Sequence, residues 1–412
     1  MTLSLREGAH RKSTRVPNIQ PSPRLSNRGP DIIGSEGMKK LILRCRQSPG
    51  DVVMLTAAVR DLHRLWPGRF STDVRGSCPE FWFHNPNITR IEDNDVDAIF
   101  IDCEYPLIHK SNREPKHFLW GYCEFLGEKL GLRLEPTAFS GDIHLSDREC
   151  TWMPQVMEIT GMDLPYWIIA AGGKYDYTIK WWSTERWQQV VDHFAGKVLF
   201  VQIGADEHHH PPLRNVIDLR GRTTLRELVR LVYHAQGVLC PVTCLMHLAA
   251  AVPVRPGRPK NRACVVVAGG REPSHWEAYP HHQYIHRNGA LWCCDNGGCW
   301  KSRTVPLGDG NEQDNPHRLC VQPVQRASGE RLGPLEYPAV IRGASAERDN
   351  EEVLPRCMEM ITSEEVGRRI ESYFEGGACS ALQPNIWNEA ISSYQLWRAN
   401  AGPPRRLHQR RT

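Results

Sequence analysis

The sequence predicts an α/β fold built from two Rossmann-like domains. Its 412 residues, of which 40% are hydrophobic, exceed what one small core needs and suit two α/β domains. Short apolar runs alternate with helical patterns, which favours parallel sheets with crossover connections. This alternation starts again after about residue 160. We therefore expect an N-terminal domain over residues 38–160 and a C-terminal domain over residues 161–375.

The first half begins with an apolar run that leads through a turn at Ser48-Pro49-Gly50 into a helical pattern. Its predicted strands cover residues 40–45, 70–75 and 98–102, and its predicted helices cover residues 52–65 and 116–131. This order is typical of a strand–helix–strand unit with a parallel sheet.

The second half opens on the apolar run Tyr166–Ala171, which enters a glycine turn at Gly172-Gly173. Its later predicted strands cover residues 197–203, 216–219, 237–240 and 263–268, and its predicted helices cover residues 183–194, 224–235 and 244–251. We interpret this half as a second doubly wound unit.

Three segments differ from this pattern. Residues 1–37 are predicted as a disordered basic tail and residues 376–412 as a C-terminal tail. Residues 290–357 form a Cys-rich insert without hydrophobic periodicity, so something other than an apolar core must order it. A helix is predicted over residues 363–374, with Thr362 as its N-cap and Glu365 completing a capping box.

Net charge and hydropathy exclude several functional classes. The charge of +4 is spread along the chain, so a nucleic-acid surface is not expected. No run of eighteen apolar residues and no secretory signal is present, which predicts a cytoplasmic protein without a transmembrane segment. The arginines at 405, 406, 410 and 411 form either a solvated tail or a peripheral contact with anionic lipid or glycan.

Asp51 is the first candidate catalytic residue. It follows the first strand and stands at the entry of a helix, where open α/β sheets place their ligands. A carboxylate there can take a proton from an attacking hydroxyl. The alternative is an ordinary helix cap, because Asp at this position satisfies free backbone donors.

Two further stretches suit a phosphate-bearing ligand. The Gly172-Gly173 turn would let backbone donors approach phosphate, and Lys180 would offset charge on a departing diphosphate. Thr243 precedes the helix 244–251, whose free amides form an anion site. The alternatives are a surface lysine beside core tryptophans and, for His247, a satisfied core histidine. His208–His210 is predicted as an exposed loop rather than a metal cluster.

Taken together, four motifs resemble the lipopolysaccharide heptosyltransferase family, glycosyltransferase family 9. They are Gly50-Asp-Val-Val with a helix ending at Trp66-Pro-Gly, Lys180-Trp-Trp-Ser-Thr-Glu-Arg-Trp187, Leu219-Arg-Gly-Arg-Thr-Thr-Leu-Arg-Glu-Leu228 and Met246-His-Leu-Ala-Ala-Ala251. The resemblance spans residues 38–285. It implies a GT-B architecture in which two Rossmann-like domains face a cleft, and an inverting, metal-independent transferase that uses ADP-heptose.

The resemblance also implies roles for single residues. It makes Asp51 the base and Lys180 the partner of the diphosphate, so that no cofactor is needed for catalysis. The donor-binding residues it implies are Gly172, Gly173, Glu207 near the ribose, Thr223 near the adenine, Thr243, Cys244, Met246 and His247. The implied partners are a nucleotide-diphosphate sugar and a glycan or protein acceptor.

One departure bears on the donor sugar. The family carries Asp-Ser/Thr-Gly before its Met-His pair, whereas this chain has Val242-Thr243-Cys244. The chain thereby lacks a carboxylate that would face the sugar and a glycine that would allow close approach.

The cysteines of the insert form a second candidate site. Cys294, Cys299, Cys320 and Cys357 could bind iron or zinc tetrahedrally as thiolates, with Cys293 as the spare. Such an ion would explain how a loop-rich segment stays ordered. Autotransporter heptosyltransferases, a related branch, carry an iron-binding four-cysteine element that is similar in kind. Free thiols are the alternative.

Two other functions remain open at this point. A nucleotide-sugar epimerase of the same fold would alter its sugar without an acceptor. A nucleotide-sugar-binding protein that has lost catalysis would explain the altered Val242-Thr243-Cys244 site.

Overall fold

The computed structural model describes residues 37–327 and 351–402, and those from Met38 onward belong to one compact unit. Its first sheet is parallel and has the order β2-β1-β3. These strands are β1 (Lys39–Cys45), β2 (Phe70–Gly76) and β3 (Ala98–Asp102), each within two residues of its predicted bounds. Helix α1 (Pro49–Leu65) follows β1 and begins three residues earlier than predicted, because Pro49 suits the first turn of a helix.

The second sheet has six parallel strands in the order β6-β5-β4-β7-β8-β9. They are β4 (Tyr166–Ile169), β5 (Leu199–Gln202), β6 (Ile217–Asp218), β7 (Gly237–Pro241), β8 (Ala263–Gly269) and β9 (Gln283–His286). The central strands β4 and β7 are buried along their whole length, as continuous apolar runs in parallel sheets usually are. The strand order changes direction between β4 and β7, which is where doubly wound sheets bind ligands.

Helices cover both sheets. They are α2 (Leu119–Leu130), α3 (Asp147–Thr151), α4 (Gln155–Thr160), α5 (Thr184–His193), α6 (Leu225–His234), α7 (Cys244–Ala251), α8 (Ser274–Glu277), α9 (Arg356–Glu359), α10 (Ser363–Glu375) and α11 (Pro384–Asn400). Residues from both halves share one continuous hydrophobic core, which holds the two sheets together. The arrangement is the two-sheet α/β architecture that the sequence predicts.

The described part of the Cys-rich insert is ordered by ion pairs. Arg303 is fully buried and its guanidinium donates to Asp309 at 2.7 Å and to Asp314 at 2.6 Å. A buried arginine must be paired, so these carboxylates fix the loop around it. Strands β10 (Pro323–Ala327) and β11 (Glu351–Pro355) pair as an antiparallel ribbon at the end of the insert.

The C-terminal region differs from the predicted tail, because residues 384–400 form helix α11. Trp387, Ala390, Ile391 and Tyr394 are buried at helical spacing and join the main core. The indole N–H of Trp387 also donates to the carbonyl of Val198 at 3.0 Å. An amphipathic face of this kind packs against a domain rather than remaining in solvent.

Helix α10 begins where the sequence predicts, since the Thr362 hydroxyl accepts a hydrogen bond from the Glu365 amide. Within residues 37–327 and 351–402, no helix has the length and apolarity that crossing a bilayer would demand. The basic tail predicted over residues 1–37, apart from Gly37, and the four C-terminal arginines lie outside the described residues.

Candidate active site

A cleft of about 360 Å³ opens between the two halves of the fold. Its walls come from the start of α1 and from the loops that follow β4, β5, β6, β7 and β8, at the carboxyl ends of these parallel strands. The cleft brings together nearly all the predicted catalytic and donor-binding residues, namely Asp51, Gly172, Gly173, Lys180, Glu207, Thr223, Thr243, Cys244 and His247. These residues are spread over almost 200 positions of sequence and meet only through the fold.

Met246 is the exception among the predicted donor-binding residues. It is fully buried in the main core and does not line the cleft. Successive residues of an α-helix point about 100° apart, so Met246 and His247 face different surroundings. Its predicted role in donor binding is therefore replaced by a role in core packing.

Asp51 is held by two hydrogen bonds at the first turn of α1. The backbone N–H of Ser48 donates to Oδ2 at 2.9 Å, and the hydroxyl of Tyr105 donates to Oδ1 at 2.7 Å. Each carboxylate oxygen keeps a second lone pair, so Asp51 can cap the helix and still accept a proton. Burial raises the pKa of Asp51, although Tyr105 and Ser48 act in the opposite direction. A raised pKa makes the ionised carboxylate a stronger base.

The first turns of α1 and α7 approach closely because residue 50 is glycine. A Cβ at Gly50 would lie 3.1 Å from His247 Cδ2 and 3.7 Å from the Cys244 Cα, so little space is left for a side chain. This contact brings the Asp51 carboxylate and the N-terminus of α7 to the same end of the cleft. The candidate base therefore lies beside the candidate anion site.

Lys180 lies in a small network of charges across the cleft. Its Nζ is 2.6 Å from Glu272 Oε1 and 3.4 Å from the carbonyl of Val242. Arg271 contacts the same carboxylate and places its guanidinium over the ring of Tyr177. Burial opposes ionisation of Glu272, but Arg271 and Lys180 outweigh it and lower the pKa of this carboxyl. Two cations therefore flank one buried carboxylate.

Thr243 precedes α7 and has a hydroxyl without a partner. Its Oγ1 is buried and makes no hydrogen bond to any described group, although the residue lines the cleft. The eight-residue helix behind it leaves free backbone amides at the same place. An orphan hydroxyl beside a helix N-terminus suits an anionic oxygen. Burial raises the pKa of the adjacent Cys244 thiol well above its usual range, so this thiol stays neutral.

His247 has the hydrogen bond of a satisfied core histidine and also lines the cleft, where it was predicted to bind the donor. Its Nδ1 pairs with the hydroxyl of Tyr279 at 2.9 Å, as in a satisfied core histidine, while the ring still lines the cleft. Burial lowers the pKa of His247 well below its usual range, so the imidazole is neutral at physiological pH.

The glycine turn after β4 has a packing role that the sequence did not indicate. The N–H of Gly173 donates to the carbonyl of His209 at 2.9 Å, so this amide is not free for phosphate. A Cβ at Gly172 would lie 2.0 Å from the same carbonyl oxygen, which explains the glycine there. His209 also stacks on Trp181, and the predicted exposure of His208–His210 was wrong, because all three are partly buried.

Several cleft residues were missed by sequence reasoning. Tyr105, Lys174, Arg271, Glu272 and Glu277 all line the cleft. Lys174 follows the glycine turn, and its Nζ donates to the Ser48 hydroxyl at 2.9 Å, which ties the two halves together. The sequence offered one signal for three of these residues. Arg271, Glu272 and Glu277 follow the strand predicted over residues 263–268, at the end of the sheet where ligands bind. Tyr105 carried no such signal.

The cysteines of the insert also converge. Cys293, Cys294, Cys299, Cys320 and Cys357 line a separate cavity of about 10 Å³. Three of these sulfurs accept backbone amide hydrogen bonds, including one from Gln322 to Cys320 at 3.4 Å. Burial raises the pKa of Cys357 to about 12 and that of Cys299 to about 11. Among the described residues, however, no group of three potential ligands has the spacing of a metal site.

Cysteine sulfurs that accept amide hydrogen bonds suit a thiophilic metal ion. The cavity has about the volume that a single water-sized sphere occupies. The described cysteine side chains do not form a metal-binding group as they stand, so binding an ion requires them to move.

The main cleft has the parts of a group-transfer site. A carboxylate with a raised pKa lies beside an amide-rich helix start, and cationic side chains line the same cleft. Such an arrangement can deprotonate a nucleophile and stabilise an anionic leaving group.

One protein family and several solved structures are similar to this chain. Residues 105–294 match the profile of glycosyltransferase family 9 (heptosyltransferase). No curated protein sequence matches the chain. The solved structure of TibC, an iron-containing dodecameric glycosyltransferase from enterotoxigenic E. coli, is 17% identical, with 83% of this chain and 77% of that chain covered and a TM-score of 0.50. This likeness shows a shared fold.

Two further structures are less similar. A family 9 glycosyl transferase from Veillonella parvula is 15% identical, with 61% of this chain and 86% of that chain covered and a TM-score of 0.46. The E. coli ADP-heptose lipopolysaccharide heptosyltransferase II is 12% identical, with 83% of this chain and 100% of that chain covered and a TM-score of 0.45. Residues 105–294, a little under half of the chain, therefore carry the profile of glycosyltransferase family 9 (heptosyltransferase), and the chain shares its two-sheet GT-B fold with a solved glycosyltransferase.

Proposed function

We propose that the protein is an inverting glycosyltransferase that moves a heptose from ADP-heptose to a hydroxyl of a glycan or protein acceptor. The observation that carries this proposal is the placement of Asp51 and Lys180 on the walls of one cleft, beside the free N-terminus of α7. The family description supports heptose as the sugar, and the motif resemblance supports adenine as the base.

In the proposed reaction, Asp51 accepts the proton of the acceptor hydroxyl. The oxygen of that hydroxyl attacks the anomeric carbon of the sugar at the same time. The bond between that carbon and the diphosphate breaks, and both electrons leave with ADP. Lys180 and the amides of α7 balance the charge that develops on the diphosphate. Because the acceptor oxygen enters opposite the leaving group, the configuration at the anomeric carbon inverts.

Donor binding is assigned to residues on the walls of the second sheet. We place the diphosphate at Thr243 and Cys244, because the orphan hydroxyl and the helix start lie there. Glu207 and Thr223 line the cleft after β5 and β6 and are assigned to the ribose and the adenine. Gly172, Gly173 and His247 shape the wall between these points.

The experiment that tests this function follows ADP-heptose by NMR and mass spectrometry, with and without permeabilised cells that supply glycan and protein hydroxyls. Heptose on an acceptor together with free ADP is the expected result. An altered nucleotide sugar formed without an acceptor would instead identify an epimerase. Donor binding without any turnover would identify a degenerate binding protein and overturn the proposal.

We also propose that Cys294, Cys299, Cys320 and Cys357 hold a structural iron or zinc ion. The convergence of these cysteines on one cavity supports the site, and Cys293 at the same cavity is the alternative ligand to Cys294. The Cys294 sulfur lies 3.4 Å from the carbonyl oxygens of both Arg287 and Leu291, and its single S–H donates to this pair, a contact that a ligating thiolate would have to give up. The ion would stabilise the insert in addition to the ion pairs of Arg303 and would take no part in catalysis.

Cys299→Ser should lose the metal and thermal stability together. Each kcal/mol lost from the free energy of unfolding lowers the melting temperature of a domain of roughly 150–250 residues by about 2–4 °C. Losing a structural ion should therefore lower the melting temperature by on the order of 10 °C. Metal content by mass spectrometry and a thermal melt of the same sample measure both effects.

Cys379→Ser is the matched control, because Cys379 is likewise a free cysteine but does not line the cysteine cavity. This variant should keep its metal. Purified wild-type protein with full stability and no bound iron or zinc would contradict the site.

A further inference from the structure

Glu277 is a buried carboxylate that none of the roles above uses. It ends α8, is 5% exposed and lines the main cleft. Its Oε2 makes no hydrogen bond to any group in the described parts of the chain. A buried carboxyl oxygen without a partner is costly, so such a group in a ligand cleft indicates a partner that the ligand supplies.

The groups around Glu277 locate it within the cleft. His247 Nε2 is 3.4 Å from Oε2, without the geometry of a hydrogen bond. The charges of Glu272, Lys180 and Asp51 all act on the Glu277 carboxyl. Glu277 therefore belongs to the region that contains both the candidate base and the candidate diphosphate partner. In the proposed reaction, the transferred sugar must occupy this region, because it is joined to the diphosphate and attacked by the acceptor.

The protonation state of Glu277 suits a neutral partner. Burial raises the pKa of Glu277 to about 8, and the negative charges of Glu272 and Asp51 act in the same direction. A carboxylic acid can donate one hydrogen bond and accept others, which matches a sugar hydroxyl. A second cation would instead stabilise the ionised form, and Lys180 already pairs with Glu272.

Glu277 approaches from α8 rather than from the start of α7, so it reaches the cleft from a different wall.

We propose that Glu277 binds a hydroxyl of the transferred sugar and thereby determines which sugar the enzyme accepts. This inference rests on the proposed function, because it requires a nucleotide-sugar donor in the cleft. It assigns Glu277 to the sugar alone and not to the nucleotide.

The test compares two ligands, ADP and ADP-heptose, by calorimetric titration. Glu277→Ala should leave the affinity for ADP unchanged and weaken ADP-heptose by roughly tenfold to a hundredfold, since one hydrogen bond to a buried polar partner is lost. Glu277→Gln should retain most of the sugar affinity, because a neutral amide can both donate and accept as the protonated acid does.

Glu207→Ala is the matched control, since Glu207 lines the nucleotide side of the same cleft. It should weaken ADP and ADP-heptose by the same factor. If Glu277→Ala weakens both ligands equally or neither, the assignment of Glu277 to the sugar is overturned while the proposed function stands. Wild-type protein that binds neither ligand would overturn the proposed function and this inference together.

Discussion

Replacing Asp51 by alanine should abolish transfer while leaving donor binding almost intact. A positioned general base contributes about 10²–10⁴-fold to rate, so turnover should fall by at least the lower figure. The affinity for ADP should stay within a few fold, because Asp51 acts on the acceptor hydroxyl. Initial rates with ADP-heptose and a titration with ADP measure the two quantities on the same preparation.

Asp51→Asn separates catalysis from the helix cap. The Asn side-chain oxygen can still accept from the Ser48 amide or from the Tyr105 hydroxyl, but the amide cannot act as a base. This variant should therefore melt close to wild type and be as inactive as Asp51→Ala. An Asn variant with near wild-type turnover would show that Asp51 only caps α1.

The pH dependence of the wild-type rate follows from the same contacts. Burial raises the pKa of Asp51, so activity should be lost as the pH falls through a value above the usual carboxyl range. The Tyr105 hydroxyl lowers this pKa, and Tyr105→Phe should therefore move the acidic limb of the profile to higher pH.

Replacing Lys180 by alanine should lower both turnover and donor affinity. A positioned charge that stabilises a developing anion is worth about 10²–10³-fold in kcat. The fold should tolerate the change, because Glu272 would keep its contact with Arg271. Steady-state kinetics with ADP-heptose and calorimetry with ADP report the two effects separately.

Lys180→Arg is the control for charge, since it keeps a cation opposite Glu272 but changes its shape. It should recover part of the ADP affinity that Lys180→Ala loses. Unchanged kcat and unchanged affinity in Lys180→Ala would remove Lys180 from the site.

Much of the fold was accessible from hydrophobic patterning. Strand β3 has the predicted bounds, and so does helix α7. Asp51 and Lys180 were found from their places beside predicted turns, and the structure brings both to one cleft. Helix α11 was missed although Trp387, Ala390, Ile391 and Tyr394 have helical spacing.

Other features of the site depend on tertiary contacts that no local pattern encodes. Tyr105 reaches Asp51 across 54 positions of sequence, and Lys180 reaches Glu272 from another strand end. The orphan oxygens of Thr243 and Glu277 become visible only when their surroundings are known. The role of Gly172 likewise follows from the carbonyl of His209, which lies against it.

The most direct test of an ADP-sugar transferase is a calorimetric titration of wild-type protein with ADP, UDP, GDP and CDP. The cleft should bind ADP at least about tenfold more tightly than each of the others, since base-specific hydrogen bonds commonly contribute this much. Tighter binding of another nucleoside diphosphate, or no binding of any, would contradict the account.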